Sequence, residues 1–298
     1  MSEGASYDLL IAGGDGDPNV VRLLARASEL GYSVCPCLYG RSGTPRLTVD
    51  VQRDRLLVNG LPVAPRAVFV RQDVFRYLET QNAADWQRAR EWFQLVFGWV
   101  TARSDVRFLN GRYFANPRIN KLAMLLLARG CGLCVPETYF TNDVPGIRDL
   151  PAHADWICKP VEGGEHTREL TEFLADVGER PAYGRPITVQ HKLTGGEIRV
   201  FRIGDTLRSF AVRSDSLDYR VHQDAQVTPI ETPAEIEGPY RALTDRLGLD
   251  FCAADFLTCP KTGKRHLLEV NKGPMFVHFD HVTHGQVTAD LLARLCAA

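Results

Sequence analysis

Two periodicities alternate along the first hundred residues. YDLLIAGG is a short apolar run closed by glycines and predicts a buried strand. DPNVVRLLARASELG then places apolar residues at helical spacing, with Pro18 in the first turn and Gly31 at the end, so it predicts a helix marked at both ends. YSVCPCLYG predicts a second strand, and strand–helix–strand is the opening half of an open α/β domain. PRLTVDVQRDRLLVNGLPV predicts short strands around an Asn-Gly turn. AVFV predicts a further buried strand that delivers Arg71 and Asp73 at its end. Strand ends in open sheets face clefts, which makes Arg71 a candidate binder of an anion or carboxylate, with a surface arginine as the alternative. In ADWQRAREWFQLVFGWVTAR the aromatic residues Trp86, Phe93 and Phe97 fall at helical spacing and predict packing against a core.

The texture changes near residue 110. A helix is predicted from about Ile119 to Arg129, closed by Gly130 and Gly132, followed by a short strand ETYFTN. TRELTEFLADVG predicts a helix between two strands. The remainder reads as strands ITVQHKL, EIRVFRIGD and TLRSFAVRS, then a helix in PAEIEGPYRALTDRLG. FCAADFLTCP and HLLEVN follow as a hairpin around KTGK, and a last helix ends in ADLLARLCAA. The fold class is therefore α/β followed by α+β: an open α/β front domain at 1–107, and an α+β body divided into 108–185 and 186–298.

Composition changes little in this picture. The chain has 298 residues, 45% hydrophobic and 24% charged, long enough for more than one domain. A formal charge of -1 gives no basic footprint for nucleic acid. No apolar run is long enough to span a bilayer, and MSEGASYDLLIAGG is acidic with no hydrophobic signal core, so a cytoplasmic location is expected. The 8 cysteines are too sparse for a disulfide scaffold. Cys35 with Cys37, and Cys131 with Cys134, have a spacing that invites a zinc reading, but buried reduced thiols are expected.

Candidate chemistry begins with GGDGDPN, whose aspartates would repel a phosphate and whose glycines do not fit a dinucleotide fingerprint. It predicts a tight strand-to-helix turn, with a contact from Asp15 or Asp17 to a cationic substrate group as the alternative. Lys159 ends an apolar strand and precedes Gly163 and Gly164, whose backbone can approach a polyphosphate closely. Lys121 opens a helix, where a solvated lysine is the plain alternative. In QHKL the backbone offers the donor–acceptor pattern of an adenine edge. EIR puts Glu197 and Arg199 on one strand face, and Arg213, Asp218 and Arg220 follow, suggesting an anionic substrate or transition state. Asp255 lies on one arm of the last hairpin, Glu269 and Asn271 on the other, so the three oxygen side chains can meet on one face. That set suits Mg²⁺ with nucleotide phosphates as its other ligands, and a buried acid network is the alternative.

In this order, NK, CKP with glycines, VQ, EIR, AAD and LEVNKGP, the chain from about 108 to 298 resembles the ATP-grasp superfamily, and its beginning resembles the preceding domain those proteins carry. VRQD, LNGRYFANPRINKL, GLCVPETYFTND and the DYR after EIR are similar to the microviridin and graspetide peptide-modifying ligases, themselves similar to ligases that add glutamate to a ribosomal protein. The resemblance implies an ATP-grasp fold with a pre-ATP-grasp domain. It implies an ATP-dependent carboxylate–amine ligase that passes through an acyl phosphate and releases ADP and phosphate, with an amide product, or an ester where a hydroxyl attacks. It implies Lys121 and Lys159 on the nucleotide, Gln190, His191, Lys192 and Leu193 as the adenine hinge, and Arg199 and Arg220 near the transferred phosphoryl group or the substrate carboxylate. Asp255, Glu269 and Asn271 would hold Mg²⁺, two ions in all.

Several positions depart from the family pattern. His191 stands where an acid often takes the ribose hydroxyls, which would weaken that contact or pass it to a neighbour such as Glu162 or Glu165. Glu197 replaces a frequent aspartate, and Lys272 a frequent proline, so Lys272 faces phosphate or solvent. His278, His281 and His284 recur every three residues and raise a second metal site against a substrate-facing loop, the favoured reading. A phosphotransferase and a nucleotide-binding scaffold of the same fold are the rival functions. The expected partners are a peptide, amino acid or small carboxylate and an amine or hydroxyl nucleophile, with no membrane or nucleic acid, and a homodimer as the ordinary prior. The compact front domain shows no added peptide-docking module, which weighs slightly against a leader-guided enzyme.

Overall fold

In the computed structural model, which describes residues 4–40, 43–72, 83–114, 120–161, 167–213 and 226–297, the strands form three sheets. The first contains β1 (Ala5–Gly14), β2 (Val34–Tyr39), β3 (Leu47–Asp50), β4 (Arg55–Val58), β5 (Leu61–Val70) and the short β6 (Arg107–Phe108), with helices α1 (Pro18–Glu29) and α2 (Ala83–Thr101). Its order is β2-β1-β5-β4-β3, with β6 also pairing β5. β1 runs parallel to β2 and β5. Leu9 and Ile11 pack with α1, whereas Leu10 and Ala12 pack with α2, which explains the unbroken apolar run in this strand. The Asn-Gly turn joins β4 to β5, with φ of 54° at Asn59 and 86° at Gly60, the left-handed pair that such a two-residue turn requires. The NG-turn strand and AVFV prove to be one strand. Pro65 is tolerated inside it because β4 pairs only with residues 61–63 and β6 only with 67–68.

α3 (Gly111–Phe114) and α4 (Lys121–Gly130) lead to the second sheet, order β7-β10-β8-β9: β7 (Thr138–Asp143), β8 (Trp156–Pro160), β9 (Arg168–Glu169) and β10 (Ala182–His191). α5 (Val144–Arg148) and α6 (Leu170–Val177) cover one face, burying Trp156, Cys158, Ile187 and Val189. The third sheet, order β13-β12-β11-β14-β15, contains β11 (Glu197–Ile203), β12 (Thr206–Arg213), β13 (Gln226–Ile230), β14 (Phe251–Thr258) and β15 (Arg265–Asn271). With it come α7 (Ala234–Leu247), α8 (Val277–Val282) and α9 (Gln286–Cys296). α4 and α7 pack on one face of this sheet against Val200, Ala254 and Phe256. Phe201, Phe210 and Ala253 on the other face share a core with α8, α9 and Leu9, Ile11 and Phe69 of the first sheet. The last helix of the chain therefore packs beside its first strand.

Arg71 is neither a cleft residue nor a surface residue. It is 6% exposed, and its Nε donates to Asp17 Oδ2 at 2.6 Å while a terminal nitrogen donates to the carbonyls of Gly273 and Pro274 at 2.9 and 3.0 Å. The strand end that was expected to meet a cleft meets the chain leaving β15 instead. Asp17 is fully buried and caps α1, accepting from the Asn19 N–H at 2.8 Å, so it faces no substrate. GGDGDPN is the expected tight turn. Phe93 is buried at 1% and Phe97 packs beside it, as helical spacing predicted. The Trp86 side chain and Asp73 lie outside the described residues.

The cysteine pairs are not near one another as a ligand set: Cys35 and Cys37 sit in the core under α2, and Cys131 packs against the core between α4 and α7. All 8 are free thiols. Burial raises the Cys37 and Cys252 thiols to about 12 and Cys158 to about 11. Cys259 moves the other way, lowered by hydrogen bonds from the Thr262 hydroxyl and then its N–H. Because the thiolate is the reactive form, a thiol with such a raised pKa is ionised at pH 8 to only about one part in a thousand to ten thousand. A chromogenic disulfide reagent at pH 8 should therefore react first with Cys259 and leave Cys37, Cys158 and Cys252 untouched until guanidinium exposes all 8 thiols. Rapid native labelling of Cys252 would contradict this core.

Candidate active site

The third sheet builds the more highly charged of two polar sites. Arg199 on β11 pairs directly with Asp255 on β14, and Asp255 pairs with Glu269 on β15, so three charged side chains stand in one row across three strands. A register shift makes this possible. Phe256 pairs with Leu267 but Asp255 with Glu269, so Leu268 has no counterpart. That bulge reverses the alternation: Leu267 faces the core beneath α4 and α7, while Glu269 rises on the opposite face with Asp255. Asn271 follows on Glu269's face, opposite the small side chain of Ala253.

The groups then meet. Asn271 Nδ2 donates to Asp255 Oδ2 and to Glu269 Oε1, both at 3.2 Å. An Arg199 terminal nitrogen lies 3.3 Å from Asp255 Oδ1, and Lys121 Nζ lies 3.0 Å from Glu269 Oε2. The Arg199 guanidinium also lies over the rings of Phe279 and Phe201, at 5.4 and 5.6 Å, a dry setting that strengthens its attraction to the carboxylate. The side chains of Arg199 and Asp255 are 8% and 6% exposed, those of Lys121 and Glu269 23% each, so the row is closed at one end and open at the other. Two carboxylates converge on a single donor. A cation placed at that donor would meet two carboxylate oxygens, and a turn of the Asn271 carboxamide would add a third. This donor set fits Mg²⁺. Lys121 reaches Glu269 because Asn120 caps α4, accepting from Ala123 N–H at 3.0 Å, and so fixes where the helix starts.

The second sheet carries the other site, on the face opposite α5 and α6. Lys159 Nζ donates to Gln190 Oε1 at 2.8 Å, and Gln190 Nε2 donates to Thr138 Oγ1 at 2.9 Å. Gln190 is only 2% exposed, so it acts as a fixed brace for the lysine. At the hinge, the N–H of His191 donates to Glu137 O at 2.9 Å and that of Lys192 to Asp155 O at 2.7 Å, which commits both amides to the protein. The Lys192 ammonium is likewise held, 2.6 Å from Glu169 Oε1.

Other expected residues go elsewhere. The His191 ring meets Trp156 edge-on at 5.5 Å, on the face of β10 away from Lys159 and Gln190, because adjacent strand residues point to opposite faces. Replacing an acid by histidine there leaves the Lys159 face unchanged. Lys272 is exposed, the solvent setting expected as one of its two alternatives, and its Nζ lies over the Tyr113 ring at 5.0 Å. His278 lies beside Phe279, and like His281 and His284 it is exposed. No group of three or more His, Cys, Asp or Glu side chains able to hold a metal occurs among the described residues. Glu162, Gly163, Gly164, Glu165, Asp218 and Arg220 lie outside the described residues. Thr138, Asn19 and Asn110 were not anticipated. Their roles depend on partners 52, 257 and 140 or more positions away, which no local pattern signals.

No protein-family model and no curated protein matches the sequence. Solved structures do match over nearly the whole chain. The ATP-grasp ligase PsnB, in complex with precursor peptide PsnA2 and AMPPNP, is 25% identical with a TM-score of 0.72, covering 99% of each chain. The RiPP-associated ATP-grasp ligase of Chryseobacterium gregarium, in complex with ADP and a leader and core peptide, is 19% identical with a TM-score of 0.73, covering 97% of this chain and 96% of its own. The macrocyclase MdnC of Microcystis aeruginosa, bound to precursor peptide MdnA, is 17% identical with a TM-score of 0.69, covering 99% of this chain and 100% of its own. The chain therefore has the ATP-grasp fold, in the form carried by the RiPP-associated ligases that it matches from end to end.

Proposed function

We propose that the chain is an ATP-dependent carboxylate–amine ligase that modifies a precursor peptide, and that residues 1–107 form a pre-ATP-grasp domain ahead of ATP-grasp halves at 108–185 and 186–298. The observation that carries this reading is the convergence of Asp255 and Glu269 on Asn271, each at 3.2 Å, flanked by Arg199 and Lys121. A protein that only bound nucleotide would have little use for two carboxylates and two cations so closely balanced. The peptide substrate is supported by the peptides held by PsnB and the Chryseobacterium ligase. Compactness argued the other way in the sequence, but this chain covers 99% of the PsnB chain, so a precursor can be bound with no extra module.

In this reading a peptide carboxylate oxygen attacks the γ-phosphorus of ATP, the bond to the β-phosphate oxygen breaks, and ADP leaves. The nitrogen of an amine, or the oxygen of a hydroxyl, then attacks the acyl carbon. The C–O bond to phosphate breaks, and the nucleophile's proton passes to the medium. Lys159, aimed by Gln190, and Lys121 bind nucleotide phosphates. With the His191 and Lys192 amides committed, the hinge carbonyls and the Leu193 N–H are the groups left to read adenine. Arg199 and Arg220 bind the charge that gathers on the transferred group. Asp255, Glu269 and Asn271 would hold Mg²⁺, two ions in this reading, which when bound supplies charge neutralisation on the phosphates. Lys121 then has to exchange Glu269 for phosphate as nucleotide arrives.

The direct test is product analysis with ATP, Mg²⁺ and candidate precursor peptides. ADP is expected together with a peptide lighter by one water per bond where the nucleophile lies in the same peptide, or heavier by the amine less one water where it does not, and AMP with pyrophosphate, or no nucleotide turnover with any peptide, would sink the scheme. Glu269→Gln sits at the open end of the row and should keep the fold while lowering turnover by about a hundredfold, read as kcat beside an unchanged melting curve. Asp255→Asn should behave differently, because it removes the Asp255 countercharge from the Arg199 guanidinium in a dry site. A loss of about 3–5 kcal/mol in urea unfolding is expected, largely recovered in Asp255→Asn/Arg199→Met. Equal stability of Asp255→Asn and wild type would contradict the buried pair.

A further inference from the structure

The connection between β15 and α8 is held more tightly than a loop needs. Asn271 ends the strand and Val277 begins the helix. Asn110 Nδ2 donates to the Lys272 carbonyl at 3.0 Å and to the Phe251 carbonyl at 2.7 Å, while its Oδ1 accepts from the N–H groups of Asp250 and Phe251 at 2.9 Å. One carboxamide thus ties the start of β14 to the end of β15, the two strands that bear Asp255 and Asn271. Arg71 takes the next two carbonyls, of Gly273 and Pro274. Asn19 Oδ1 accepts from the N–H groups of Phe276 and Val277 at 2.7 and 3.0 Å, and is aimed there by donating its own N–H₂ to Asp17 at 2.8 Å.

All four clamping side chains are buried: Asp17 and Asn19 are 0% exposed, Asn110 3% and Arg71 6%. Cohesion between the first and third sheets does not require them, since Leu9, Ile11 and Phe69 already share an apolar core with Phe201 and Phe251. A buried ion pair such as Arg71–Asp17 carries a desolvation cost that an apolar contact in the same place would not. What the clamp adds is geometry. Asn271 is a terminal strand residue, and terminal residues fray unless the chain beyond them is held.

We infer that Arg71 and Asn110 are positioning residues for the metal site, fixing the Asn271 carboxamide against Asp255 and Glu269 through the backbone of residues 272–274. This rests on the proposed roles of those three ligands. The front sheet, distant in sequence from the ligands, thereby sets the shape of the ligand group.

The test is Mn²⁺ binding to the full chain at saturating ADP, read from the free-Mn²⁺ electron paramagnetic resonance signal, for wild type, Arg71→Lys and Arg22→Lys. Arg71→Lys keeps a cation for Asp17 but loses the fork onto the two carbonyls. Arg22→Lys is the control: Arg22 reaches α8 through Asp280, at 2.7 Å, without touching residues 272–277. Both variants should melt below wild type, but Arg71→Lys alone should weaken Mn²⁺ binding, by about tenfold or more. Asn110→Gly, which suits the φ of 59° at that position, should weaken it similarly and serves if Arg71→Lys does not fold. Mn²⁺ affinity within twofold of wild type in Arg71→Lys or Asn110→Gly, or an equal loss in Arg22→Lys, overturns the positioning role. ADP-dependent Mn²⁺ binding absent from wild type itself would instead fail the ligase reading, and this inference with it.

Discussion

A guanidinium and a carboxylate buried together must be matched by their surroundings, because neither retains the water that would otherwise solvate its charge. Arg199 and Asp255 impose that demand on the third sheet. Arg199 is answered by Asp255 on the neighbouring strand and by the rings of Phe201 and Phe279. Phe279 belongs to α8, so the helix has to be delivered to one place, and the chain from Asn271 to Val277 has to arrive there on one path. Arg71, Asn19 and Asn110 define that path. The pair at the centre of the site and the buried clamp from the front sheet are thus two ends of one arrangement, joined through the shared core of α8 and α9.

The second sheet solves a gentler problem. Lys159 stands on a half-open face, and its ammonium is aimed by a buried carboxamide that is itself aimed by a threonine hydroxyl. Each donor in this chain of bonds meets an acceptor. In the third sheet two acids and two bases are balanced before any ligand arrives. Entry of a nucleotide with its metal would replace internal pairings by external ones, and the more exposed pair, Lys121 with Glu269, is the one placed to exchange.

The elements were largely legible. The Asn-Gly hairpin, the capped helix after Asp17, the hairpin bearing Asp255 and Glu269, and the order of strands and helices after residue 110 all follow from local rules of turn, cap and periodicity. The candidate-site residues that are described stand out in the sequence as types, carboxylates and a carboxamide on facing strands, lysines at a strand end and a helix start. The individual contacts were less legible. Arg71 at a strand end looked like a ligand group because local pattern cannot say what packs beyond the end of a strand. Lys272 is exposed, as one of its two readings had it, but its contact with the ring of Tyr113 has no local signal because that ring is remote in sequence. Position 191 looked like part of the ribose contact, whereas strand alternation turns its side chain towards Trp156.

By itself, then, the amino-acid sequence determined the secondary structure, the apolar faces, and the inventory of charges for the proposed nucleotide and metal site, since these depend on neighbours within a few residues. Tertiary structure decided which of those charges meet. Alternation counted from Leu267 would place Glu269 on the core face, and only pairing with β14 inserts the bulge at Leu268 that lifts it beside Asp255. Only folding brings Asn19, Arg71 and Asn110 to the backbone of residues 272–277, across separations of more than a hundred residues. The physical reason is the same in both cases. A hydrogen bond or an ion pair is chosen among all the partners that the folded chain makes available, and sequence spacing constrains that choice only where the partners are local.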